Sequence, residues 1–132
     1  MAEDRSNELI AEQHHHLRAL AGRIKQASTR DDIAPLLPEL LSSLQVHFAA
    51  EEGPGGVMET IQETAPERSR QVEALVGEHR SMLGTVGLLL SEDPAGDFVA
   101  TAHKVCDELT RHEAEENDLF LEVLETDIGG RG

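Results

Sequence analysis

The sequence predicts an all-α fold: an up-down-up-down antiparallel four-helix bundle with a pseudo-two-fold internal repeat. Three observations predict it. Apolar residues recur at spacings of three and four along four stretches, the period of a helix that buries one face. Aromatic residues are scarce, with three Phe and no Tyr or Trp, which argues against strand-rich folds. The histidines and glutamates that interrupt the apolar stripes recur at an offset of 65 residues. The 132-residue length predicts a single domain over 1–132.

The first helix is expected from about Ser6 to Ser28, with Ile10, His14, Leu17, Ala21 and Ile24 on one seam. Asp31 and Asp32 look like caps for the second helix. Pro35 and Pro38 restrict regular helix there to a start near Pro38, since proline is tolerated only in a first turn. The second seam is Ile33, Leu37, Leu40, Leu44, His47 and Glu51, and Gly53-Pro54-Gly55-Gly56 ends it. Val57 to Thr64 reads as a further short helical piece. The third helix is expected from about Pro66 to Leu90, with Val72, Leu75, His79, Met82, Val86 and Leu89 in line. Asp93-Pro94 reads as a cap and first-turn pair for the fourth. That helix carries Ala102, Val105, Leu109, His112, Glu116, Leu119 and Val123 and should end before Gly129-Gly130. The short connections make sequential helices antiparallel neighbours.

The offset of 65 takes His14 to His79, His47 to His112 and Glu51 to Glu116. It also takes Ile10 to Leu75, Leu17 to Met82, Ile24 to Leu89 and Leu44 to Leu109. The chain therefore reads as two related helical hairpins.

His47-Phe-Ala-Ala-Glu51 and His112-Glu-Ala-Glu-Glu116 share the pattern His-x-x-x-Glu. Residues four apart stand on one helix face, so each pair can reach one cavity. An ionised carboxylate on a core seam is costly unless compensated, and two in one core repel each other. A pair of metal ions removes both problems. Imidazole and carboxylate donors suit iron, zinc or manganese better than a metal that prefers thiolates. A lone histidine on an apolar stripe is usually a hydrogen-bonded core residue. Six polar residues on the seams, duplicated at one offset, are better explained as ligands.

The series His14, His47-x-x-x-Glu51, His79, His112-x-x-x-Glu116 resembles the hemerythrin-like, or HHE cation-binding, family over nearly the whole chain. Glu78 before His79, the Glu51-Glu52 pair, and Glu115-Glu116 followed by Leu119-Phe120 support the resemblance. It implies an up-down four-helix bundle with a non-haem di-iron centre, two iron ions joined by carboxylates and in some states by an oxo or hydroxo bridge. Zinc or manganese are the substitutes to consider. By the resemblance, metal ligands are His14, His47, Glu51, His79, His112 and Glu116. Glu51 and Glu116 would bridge, His14 and His47 would hold one iron, and His79 and His112 the other. Oxygen-carrying hemerythrins have a His-x-x-x-His on the third helix. Here Leu75 and Leu83 stand four residues either side of His79, which puts reversible oxygen carriage in doubt.

The remaining polar residues have plainer readings. His15 and His16 should face the rim or solvent, and His103 the surface. Glu12, Glu52, Glu78 and Glu113 flank the ligands and read mainly as solvated, with one of them a candidate partner to a ligand imidazole. Cys106 aligns with Leu41 across the repeat and reads as core. The single cysteine fits a reducing compartment. The N-terminal MAEDRSNELI lacks the pattern of a signal peptide, so a cytoplasmic location is expected. A net charge of −15 opposes nucleic-acid and anionic-membrane partners; a monomer and a homodimer both stay open. The function expected is binding of, or reaction with, a small molecule (oxygen, nitric oxide or peroxide) in sensing or detoxification, with peroxidase, catalase-like or oxidase activity an open question. Iron handling or repair, and a structural metal module, are the alternatives.

Overall fold

Four long helices carry the apolar stripes, and two shorter ones join them. The computed structural model describes the backbone of residues 2–91 and 96–129, and within these the side chains of 10–91 and 96–125. The elements are α1 (Ala2–Gln26), α2 (Arg30–Ile33), α3 (Leu37–Glu52), α4 (Val57–Thr64), α5 (Ser69–Leu90) and α6 (Phe98–Gly129). Single 3-10 turns at Ala34–Leu36 and Pro66–Arg68 precede α3 and α5. Among the described residues there is no strand. α1 packs against α3 and α6, and α5 packs against the same two, so the long helices form a helical bundle.

The prolines explain the broken start of the second helical region. Each lacks an N–H, so each sits in the first turn of a new piece: Pro35 in the 3-10 turn and Pro38 in α3. The cap of this region is Thr29, whose Oγ1 accepts from the Asp32 N–H at 3.2 Å. This corrects the reading of Asp31 and Asp32 as caps: helix begins at Arg30, so both aspartates lie in the first turn, where their charge suits the helix dipole. Asp93-Pro94 lies outside the described residues. At the start of α6, Asp97 Oδ1 accepts from the Ala100 N–H. α6 runs through Gly129.

His103 corrects a second expectation. It is half-buried rather than on the surface. Its Nε2–H donates to the carbonyls of Ile24 and Ala27 at 3.1 and 2.8 Å, which ties α6 to the end of α1, where the Ile24 carbonyl also accepts from the Ala27 N–H.

The glycine-rich breaker is a close crossing. Gly55 adopts φ +77°, the left-handed region that glycine enters without steric cost. A Cβ on Gly56 would lie 2.4 Å from the carbonyl oxygens of Ala50 and Glu51. Only glycine lets the chain double back over the end of α3 and bring α4 against it.

Two apolar clusters form the core. The larger includes Leu17, Ile24, Leu44, Phe48, Met82 and Leu109. The smaller includes Met58, Ile61, Val72, Leu75, Leu119 and Val123. On α5, His79 lies between Leu75 of one cluster and Met82 of the other. On α6, His112 and Glu116 lie between Leu109 and Leu119. The buried polar residues thus form a layer between two dry regions.

Candidate metal centre

Among the described residues the buried polar side chains are few: His47, Glu51, His79, His112 and Glu116. All five lie on the seams of α3, α5 and α6, placed there by the apolar residues one turn either side. His14 joins from α1. It is half-buried, with its ring against that of His47 at a centroid distance of 4.5 Å.

These six residues form two groups that share a carboxylate. Glu51, His79, His112 and Glu116 each offer a donor atom, all within 4.8 Å of one another. His14, His47 and Glu51 do the same. Glu51 Oε1 lies 3.5 Å from His47 Nε2 and 3.3 Å from His79 Nε2. Glu116 Oε2 lies 3.2 Å from His112 Nε2 and 3.9 Å from His79 Nε2. The structure thus brings all six sequence-predicted residues together. It leaves out His15 and His16, both exposed, and Nε2 of His16 is 3.2 Å from the exposed Glu39 carboxylate.

The far side of three imidazoles is held by hydrogen bonds. Nδ1–H of His47 donates to Gln13 Oε1 at 2.9 Å. Nδ1–H of His79 donates to Glu52 Oε2, and that of His112 to Glu78 Oε1, both at 2.7 Å. A proton on Nδ1 leaves the Nε2 of a neutral imidazole as a lone pair. The Nε2 atoms of His79 and His112 lie 2.9 Å apart. Two lone pairs at that distance repel unless a proton or a cation stands between them. Phe48 stacks on the His79 ring at 3.8 Å with the planes 6° apart, so His79 is fixed in orientation as well as in tautomer.

The carboxylates need the same compensation. Glu51 Oε1 and Glu116 Oε2 are buried and have no hydrogen-bond partner among the described residues. A buried unpartnered carboxylate oxygen is expensive, and here two of them point among imidazole lone pairs. This donor set fits a metal cation. His47 is kept neutral: burial pushes its pKa down to about 4, against the opposing charge of Glu51. Burial also lowers that of His14. Neutral imidazole is the form that ligates.

A cavity of about 320 Å³ opens beside the second group, lined by Ile10, His14, Glu51, Glu113, Glu116 and Phe120 among others. Burial pushes the carboxyl of Glu113 up to about 7, with Glu51 adding to the rise and Arg18 opposing it. Cys106 is buried away from this layer, and its thiol is raised to about 11 by burial and Asp107, so it offers no thiolate.

Sequence reasoning placed Glu52 and Glu78 among the flanking acids without assigning their partners, and it passed over Gln13 and Phe48. A signal for one of them was present. The offset of 65 relates Gln13 to Glu78, and the histidines they hold, His47 and His112, are related by the same offset.

Among the described residues, no helix is long and apolar enough to cross a membrane. No curated protein and no solved structure matches the chain. The family model described as the Hemerythrin HHE cation binding domain matches residues 5–124. The match spans most of the chain and both His/Glu groups, so the protein belongs to the hemerythrin HHE cation-binding domain family.

Proposed function

We propose that this protein is a single-domain, non-haem di-iron protein that binds or reacts with oxygen, nitric oxide or peroxide, in sensing or detoxification. The observation that carries the reading is the position of Glu51 Oε1, a buried oxygen without a partner, between His47 Nε2 and His79 Nε2. One carboxylate common to two donor groups supports a two-metal centre bridged by Glu51. In this reading His14 and His47 hold one iron, His79 and His112 the other, and Glu116 is the second bridge.

The proposed topology is up-down and antiparallel with a pseudo-two-fold relation between the halves. It is supported by the clusters: Leu75 and Leu119 belong to one and Met82 and Leu109 to the other, the order expected if α5 and α6 run opposite ways. A cytoplasmic location and the absence of nucleic-acid partners belong to the same proposal, supported by the single cysteine and the net charge of −15.

Two ferrous ions would supply the electrons needed to reduce oxygen or peroxide. The chain's own residues do the rest. Glu52 and Glu78 hold His79 and His112 as Nδ1–H tautomers and make their Nε2 atoms more basic, which favours the higher oxidation state of a bound metal. Ile10, Val57 and Phe120 give the cavity apolar walls that limit water and admit a diatomic molecule. Glu113 adds a third carboxylate to the lining of that cavity, beside Glu51 and Glu116.

The test is to add oxygen to the anaerobic diferrous protein and hydrogen peroxide to the diferric protein. The expected result is rapid oxidation, with peroxide consumption that is lost in Glu116→Ala. A stable oxygenated spectrum that reverses on removing oxygen would overturn the reading in favour of a carrier.

A further inference from the structure

Three buried carboxylate oxygens lack a hydrogen-bond partner among the described residues: Glu51 Oε1, Glu116 Oε2 and Glu113 Oε1. The first two belong to the His/Glu groups. The third does not, yet Glu113 lines the same cavity as His14, Glu51 and Glu116. It precedes Glu116 by three residues, so the two share a face of α6. The other flanking acids are accounted for, since Glu52 and Glu78 accept from His79 and His112.

The internal repeat says what Glu113 replaces. The offset of 65 that relates His14 to His79 also relates Phe48 to Glu113. Phe48 stacks on His79 at 3.8 Å and closes that side of the His79–His112 group with an apolar ring. The counterpart of that contact is Glu113 beside His14. One half of the centre is therefore capped by a ring that cannot ligate, and the other by a carboxylate that can. The donor count is lopsided in the complementary sense. The His79–His112 group has four donors, and the His14–His47 group has three, one of them the shared Glu51.

We propose that Glu113 is a seventh protein donor, which approaches the His14–His47 metal position from the cavity and completes it. Glu113 stands outside the tight group of three, so its carboxylate reaches the metal by a side-chain rotation into the cavity. A third carboxylate also brings the protein charge closer to that of two divalent cations. The inference rests on the two-metal reading given above.

The experiment is an anaerobic cobalt(II) titration of the wild-type protein and of Glu113→Gln, followed by calorimetry and by the visible absorption of cobalt. Glutamine nearly matches the volume of glutamate and removes a buried charge, so the metal-free variant should fold; circular dichroism checks this. Two equivalents bound by the wild type preserve the two-metal reading, whereas one equivalent or fewer overturns it. Given two, Glu113→Gln should leave the first equivalent unchanged and weaken the second by about tenfold or more, since losing partners one step further from a metal already costs about 10–100-fold. The visible band of the second equivalent should change with it, reporting a lost donor rather than a lost distant charge. A second equivalent of wild-type affinity, or an unaltered cobalt band, would overturn the assignment of Glu113 and leave the two-metal reading standing.

Discussion

The Nε2 atoms of His79 and His112 face each other at 2.9 Å, while each ring gives its Nδ1 proton to a glutamate on a neighbouring helix. That relationship ties the metal chemistry to two residues outside the donor groups. Glu52→Gln and Glu78→Gln should each weaken metal binding by about 10–100-fold, as such partners usually do. Gln13→Ala, which removes a neutral acceptor from His47, should cost less. Competition against a chelator of known affinity checks the order. An equal loss for all three variants would show that the charge behind His79 and His112 is unimportant.

In the two-metal reading His14 is the first-helix donor, and its neighbours His15 and His16 are not. His14→Ala should lose about half of the bound metal, because the two-metal reading gives its group one of two positions. His16→Ala should leave the metal content intact, since His16 is exposed and its nearest acid is the exposed Glu39. Metal content after desalting distinguishes them. The reverse pattern would reassign the first-helix ligand.

Stability should depend on metal. Without it, the core holds two unpartnered carboxylate oxygens and facing imidazole lone pairs. Binding to the folded state alone stabilises by about 4 kcal/mol when free metal is 1,000 times the dissociation constant. That corresponds to a rise in Tm on the order of 10–20 °C for a domain of this size. Thermal melts with and without chelator measure it. Superimposable melts would mean that these donors bind no metal under the conditions used.

The metal-free protein should show two opposed pH dependences. His47 in the fold has its pKa lowered from 6.5 to about 4. Its neutral form is therefore favoured by folding, and stability is lost as pH falls from 6.5 towards 4. Glu113 is raised from 4.5 to about 7. The cost of burying its charge is absent below 4.5 and grows as pH rises towards 7. Glu113→Gln removes the second dependence. Its metal-free form should gain in urea midpoint over the wild type at about pH 7.5 relative to about pH 5. A difference independent of pH would show that Glu113 titrates normally.

Much of this was legible in the sequence, for identifiable reasons. The seams through Leu17, Leu44, Met82 and Leu109 gave the helices because a helix buries one face at a fixed period. The duplicated His-x-x-x-Glu gave the polar layer because i and i+4 share that face. The cap at Thr29 was hidden because three capping residues, Thr29, Asp31 and Asp32, lie close together, and only the start of the helix selects one. The place of His103 was hidden because its partners are the carbonyls of Ile24 and Ala27 at the end of α1, and periodicity within α6 carries no record of where α1 ends. The Phe48 ring against His79 was hidden for the same reason. Phe48 lies one residue off the α3 seam, and only the approach of α5 makes it a neighbour of the site.

Anaerobic reconstitution with ferrous iron, followed by elemental analysis of the desalted protein, tests the central claim most directly. The two donor groups that share Glu51 predict two iron ions per chain. One ion or fewer per folded chain would contradict a dinuclear centre.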